Sequence, residues 1–114
     1  RELQLAKGAI AAGIEILIKE MGVNQEQITQ VFLAGAFGSC INPVSAKAIG
    51  LIPNLPLGRA ETVGNAAGAG AQLALLSSSA RKQAAKIAKD VEYIELSARS
   101  DFQEAFLAAM YFPK

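Results

Sequence analysis

Histidine and tryptophan are missing from this 114-residue sequence, and cysteine occurs once, as Cys40. Each absence closes a class of chemistry. Without His there is no Ser-His-Asp or Cys-His catalytic pair. With a single Cys there is no disulfide within the chain and no Cys/His zinc site. An iron–sulfur cluster normally takes four thiolates, so the chain cannot hold one alone. Charge is also scarce, with 11 basic and 10 acidic residues giving a net charge of +1. A nucleic-acid binder displays clustered positive charge, which this balance argues against. What the sequence has is apolar residues, 52% of the chain. That is too apolar and too weakly charged for disorder. The length suits one small domain, residues 1–114, and is too short for two.

Two long stretches carry no charge, Gln27–Ala46 and Thr62–Ala80. Both contain Asn, Gln, Ser, Pro or several Gly, so neither reads as a membrane span. No secretory signal opens the chain, and Arg1 falls in mid-pattern of a helix. The expectation is a cytoplasmic fragment of a longer protein.

From Glu2 to Met21, apolar residues recur at steps of three and four: Leu3, Ala6, Ile10, Ile14, Leu17 and Met21. This predicts a helix with that stripe as its packed face and an exposed Glu15–Lys19 pair on the other. Gly8 and Gly13 each weaken it by roughly 1 kcal/mol relative to Ala, which points to close approach of another backbone. The apolar run Gln30–Ala34 predicts a buried strand ending in the turn Gly35-Ala36-Phe37-Gly38-Ser39. Asn42-Pro43 then caps a helix that Gly50 stops. Glu61-Thr62-Val63 predicts a second strand, and Ala66–Leu76 a small-residue helix. Ser77–Ser79 caps the next helix, Ala80–Lys89. Val91–Leu96 predicts a third strand, an edge one because of Glu92 and Glu95. Ser100-Asp101-Phe102-Gln103 reads as a capping box opening a last helix with Phe102, Ala105, Phe106 and Ala109 on one face. The alternation implies an α/β fold with three short, mostly parallel strands and flanking helices.

Open parallel sheets bind ligands at the carboxyl ends of their strands. Two small-residue turns fall there. At Gly35–Gly38, bare backbone can seat a ring or donate N–H groups to an anion, and a simple tight turn is equally open. At Val63–Gly70 the glycines fall as G-x-x-x-G-x-G rather than the dinucleotide spacing G-x-G-x-x-G, so close helix–sheet packing is preferred. No Gly-Lys-Ser/Thr occurs, which excludes a P-loop. Arg81, Lys82, Lys86 and Lys89 make one helix basic, which reads as a solvated face. Cys40 reads as a small core filler. No carboxylate pair, nucleophile or metal cage stands out.

Four runs together resemble a known family: Gln4–Gly13, Val31–Gly38, Val63–Ala71 and Val91–Leu96. They resemble the C-terminal end of the reductive activators of corrinoid proteins, from the acetate-and-sugar-kinase, heat-shock-chaperone and actin superfamily. The resemblance covers the chain from Gln4 to about Pro113. It implies a ribonuclease-H-like, actin-like subdomain of an ATP-binding domain. It also implies a full-length protein with an N-terminal ferredoxin-like domain holding a [2Fe-2S] cluster, outside this chain. Such proteins are ATP-dependent electron-transfer activators that reduce a Co(II) corrinoid to Co(I). Their partner is a corrinoid methyltransferase or a corrinoid iron–sulfur protein. The cofactor implied is ATP with Mg2+, whose phosphate hairpins and acidic residues also lie outside this chain. Gly35, Ala36, Phe37 and Gly38 match the adenosine motif, with Ala36 where relatives carry Gly. Gln4, Lys7 and Asn65 are secondary nucleotide-binding candidates. No catalytic residue is assigned. The alternatives are another kinase or dehydratase activator of the superfamily, or a non-catalytic interaction module. Dimerisation across the incomplete sheet edge stays open.

Overall fold

A computed structural model describes residues 2–35 and 42–112. Helix α1 spans Glu2–Met21, strand β1 Val31–Ala34 and helix α2 Pro43–Ala48. Strand β2 spans Ala60–Gly64, followed by helices α3 (Ala66–Leu76), α4 (Ser78–Asp90) and α5 (Ser100–Ala109). None of the described helices is long and apolar enough to cross a membrane.

The boundaries follow local chemistry. Asn42 accepts a 2.7 Å bond from Val44 N–H, and Pro43 fills the first helical position. Proline suits that place because its missing N–H has no helical partner there. Asn65 caps α3 by accepting from Gly68 N–H at 2.9 Å, and Ser77 caps α4 by accepting from Ala80 N–H at 3.1 Å.

β1 and β2 pair in parallel, with Val31 opposite Ala60, Leu33 opposite Thr62 and Ala34 opposite Gly64. A register irregularity falls between Leu33 and Ala34. The α2 crossover lies on one face of this pair. Leu33, Ala46, Leu51 and Ile52 form a buried cluster there, flanked by Val31, Ile49 and Ala60. A second centre of packing joins α1 to α5.

Several expectations change. The sheet has two strands among the described residues, not three. Val91–Leu96 keeps part of the alternation that suggested a strand, since Ile94 and Leu96 are half-buried while Tyr93 and Glu95, like Val91 and Glu92, are exposed. Among the described residues it pairs with no strand. Leu96 instead lies against α1, where a β-carbon on Gly13 would sit 3.6 Å from its methyl group. The polar groups close locally: Glu95 accepts from Tyr93 Oη at 2.7 Å and from Ser97 Oγ at 2.7 Å. These bonds hold the Glu95 carboxyl below its ordinary pKa, the Ser97 hydroxyl contributing most, while Glu95 pushes the Tyr93 phenol up.

The buried face of α1 is also not the predicted one. Lys7, Gly8, Ala12, Gly13 and Ile16 are buried, whereas Leu3, Ile10, Leu17 and Met21 are exposed. Small residues win this face because α5 approaches closely. A β-carbon on Gly8 would stand 3.1 Å from the Phe106 ring and 3.2 Å from Met110 Cγ. The close approach inferred from the glycines is therefore to side chains rather than to backbone.

Finally, Lys19 does not pair with Glu15, and Ser100 does not cap α5. Arg99 is the residue preceding the helix and makes no side-chain cap. Lys19 bonds Asp101 at 2.9 Å, and Arg99 bonds Glu20 at 2.6 Å and Asp101 at 2.8 Å. The four charges clasp the end of α1 to the start of α5. Arg99, and then Lys19, hold the Asp101 carboxyl well below the usual carboxylate range.

Candidate functional site

The carboxyl rim of the strand pair carries two bends. Gly35 follows β1 with φ +73°, and Gly64 ends β2 with φ +63°. This left-handed backbone costs an L-residue roughly 1–2 kcal/mol, which glycine avoids. Ala34 and Gly64 are register partners, so the two bends stand side by side. Among the described residues, neither glycine has a non-neighbouring heavy atom within 4 Å of where a β-carbon would project. Both therefore offer bare main chain at the rim where open parallel sheets bind ligands.

Asn65 follows the second bend. Its side-chain oxygen is committed to Gly68 N–H, and a β-carbon on Gly68 would come within 2.9 Å of the Asn65 amide carbon. Gly68 thus makes room for the cap. The expected helix–sheet packing role does not hold for Gly70 either, which among the described residues has nothing within 4 Å of where a β-carbon would project.

Lys7 sits elsewhere. It is 2% exposed, and its ammonium donates to the Tyr111 carbonyl oxygen. It also lies 5.1 Å from the centroid of the Phe112 ring, within cation–π range. The charge is engaged by the tail after α5 and does not point into open space. Gln4, one turn earlier on α1, is half-buried. Of the predicted site residues, Gly35 and Asn65 are brought to the rim, and Lys7 is tied to the tail. Ala36, Phe37 and Gly38, like Cys40, lie outside the described residues.

A separate cleft of about 760 Å³ opens between α1 and the segment 44–54. Ile14, Ile18, Val44, Leu51 and Ile52 give it apolar walls, with Glu15 and Lys47 at its margin. Residues of the two glycine bends do not line it.

No group of three His, Cys, Asp or Glu among the described residues is placed to hold a metal ion. The described part of the chain does not fit a magnesium site, and one cysteine does not fit a [2Fe-2S] cluster.

A helix crossover between parallel strands, with glycine bends at the carboxyl rim, defines an α/β fold of the open-sheet class. The family described as the C-terminal domain of RACo, the ASKHA domain, matches residues 1–114. The chain belongs to this family, and its fold is an α/β, actin-like part of such a domain. It is 36% identical over 107 residues to the corrinoid activation enzyme RamQ of Eubacterium limosum, covering 94% of this chain and 18% of that protein. Among solved structures it resembles a reductive activator for corrinoid, iron–sulfur protein, with a TM-score of 0.88 and 36% identity. That match covers 97% of this chain and 18% of the other. The chain therefore spans about a fifth of the length of these relatives.

Proposed function

We propose that this chain supplies the adenosine-binding part of an ATP-dependent corrinoid activator. The observation that carries the reading is the pair of adjacent, open, positive-φ glycine bends, Gly35 and Gly64, at the carboxyl rim. A purine nucleoside needs a flat backbone platform, an apolar surround and little charge. Gly35 offers the platform, and Ala36, Phe37 and Gly38 complete the motif. Asn65 borders the second bend, where its oxygen caps α3. Gln4 and Lys7 belong to a helix farther along the same domain. Lys7 reaches a phosphate only after its contact with the Tyr111–Phe112 tail opens.

The activity served is reduction of a Co(II) corrinoid to Co(I), one electron, on a corrinoid methyltransferase or corrinoid iron–sulfur protein. The names of the two relatives support the corrinoid part of this reading. This chain's own share is nucleotide recognition. The electron source and the magnesium ligands lie beyond what its residues fit. The family match favours this reading over a sugar or acyl kinase.

Calorimetric titration of ATP into the full-length protein tests it. Gly35→Val puts a branched side chain on left-handed backbone and into the open platform, so binding should be lost while far-UV circular dichroism is unchanged. Unchanged ATP affinity in that variant removes the adenosine assignment. ATP hydrolysis by the isolated 114-residue chain at the full-length rate contradicts the division of labour.

A further inference from the structure

The charges of this chain are segregated. Between Thr62 and Lys89 there are four cations, Arg81, Lys82, Lys86 and Lys89, and no carboxylate, so the rest of the chain is net acidic. All four cations belong to α4, which packs against α3 and is exposed from Arg81 to Asp90. No residue of either helix is buried. Lys82, Lys86 and Lys89 recur at steps of four and three, which lines them along one face over about 10 Å.

These three differ from most of the other described cations. Lys7, Lys19, Arg59 and Arg99 each bond a carbonyl or carboxylate oxygen. Arg81 donates to the Ala74 carbonyl at 2.7 Å and so ties α4 to α3. Among the described residues Lys82, Lys86 and Lys89 take part in no ion pair, and Asp90, one turn beyond Lys86, pairs with none of them. Helix stability accounts for Lys89, whose place in the last turn complements the helix dipole. It does not account for Lys82, which stands near the end of α4 that favours acids. A helix face that merely meets water is commonly laced with both signs at i,i+4, and this one carries a single sign.

α3 ends in Leu75 and Leu76, 79% and 87% exposed, directly before α4 begins. Exposed leucines at one end of a charged stripe match the apolar centre and polar rim of a protein interface. Lysine says which kind of interface. Its compact ammonium is strongly hydrated, and it is depleted where a surface is permanently covered. It suits a surface that is wet between encounters and steers a partner of opposite charge.

We propose that the lysine face of α4, with Leu75 and Leu76 at its end, is the docking surface for an acidic face of the corrinoid protein. The proposal rests on the functional reading above, in which an electron passes to a separate protein. That protein has to leave before another can be served, so the encounter is transient. An electrostatic contact makes such an encounter fast without making it tight. A further part of the same polypeptide fits less well, since a permanent cover would strip water from three unpaired ammoniums.

Association kinetics of the full-length protein with its corrinoid protein test the proposal, read by surface plasmon resonance. The variant combines Lys82→Glu, Lys86→Glu and Lys89→Glu, and a companion combines Lys82→Arg, Lys86→Arg and Lys89→Arg. Calorimetric ATP affinity should be the same in all three proteins, since none of these residues belongs to the nucleotide site. At about 0.02 M salt the Glu variant should associate about tenfold or more slowly than wild type, and the Arg variant at the wild-type rate. The difference should close at about 0.5 M salt, where exposed charges are screened. An unchanged rate in the Glu variant at low salt overturns this proposal alone. A slowing that persists undiminished at high salt also overturns it, because it marks lost packing rather than lost charge. Wild-type association with the corrinoid protein that is unaffected by the Glu substitutions, together with salt-sensitive binding to phosphatidylserine vesicles that they abolish, reassigns the stripe to a membrane surface. No association by the wild-type protein at either salt concentration overturns the corrinoid reading and this proposal together.

Discussion

Replacing Gly8 by Ala sets two effects of similar size against each other. Alanine in a helix interior is favoured over glycine by about 1 kcal/mol. Its methyl group, buried under α5, adds roughly 0.8 kcal/mol of apolar transfer. Against this stand the Phe106 ring at 3.1 and 3.2 Å and Met110 Cγ at 3.2 Å. Met110 can turn aside. Phe106 cannot move far, because its ring stacks on Phe102 with centroids 6.0 Å apart. Overpacking of this kind costs typically about 1–3 kcal/mol. With Phe106 held in place the cost falls in the upper part of that range and exceeds the two gains, so Gly8→Ala should destabilise the chain by up to about 1 kcal/mol. The deciding measurement is a double-mutant cycle with Phe106→Leu, read by urea unfolding. The flexible leucine leaves room for the methyl group, so the pair should show a favourable coupling of about 1 kcal/mol. If Gly8→Ala is stabilising by itself and uncoupled from Phe106, the close α1–α5 approach is not what selects glycine here.

Three further outcomes follow from the same geometry. Asp101 titrates below its unfolded value because Arg99 and Lys19 bond its charged form, so its contribution is full above about pH 4 and is lost progressively as pH falls from there toward the lower folded-state value. Asp101→Asn should flatten the stability profile below about pH 4, and an unchanged acid limb in acid-titrated circular dichroism would remove the clasp from that role. Lys7→Met deletes a buried ammonium together with its bond to Tyr111 and its contact with Phe112. An apolar side chain of similar length avoids the desolvation cost, so global stability should change by less than about 1.5 kcal/mol, while amides near Tyr111 exchange faster. Exchange at the wild-type rate would mean that the tail is held by something else. Asn65→Ala should cost about 1 kcal/mol through loss of the α3 cap, measured by thermal unfolding, and a neutral result would show that water replaces it.

Local signals were legible in the sequence wherever one residue type answers one backbone need. Asn42-Pro43, Asn65 and Ser77 mark helix starts because a side-chain oxygen or a missing N–H solves a problem confined to four residues. Gly35 and Gly64 mark bends because left-handed backbone excludes most other residues. What periodicity could not give was the partner of each face. The alternation in Val91–Leu96 is real, yet Leu96 meets Gly13 of a helix, and a strand pattern alone does not say whether the neighbour is a strand. The apolar stripe of α1 is likewise real, but the surface meeting α5 is chosen by glycine and alanine, which permit the shorter approach. Apolar transfer alone would bury Leu3, Ile10, Leu17 and Met21 first, since each is worth more than any alanine. That the chain buries Ala12 and Gly13 and leaves the leucines exposed shows that the close approach of α5, and not apolar transfer, chooses the face of α1 that it meets.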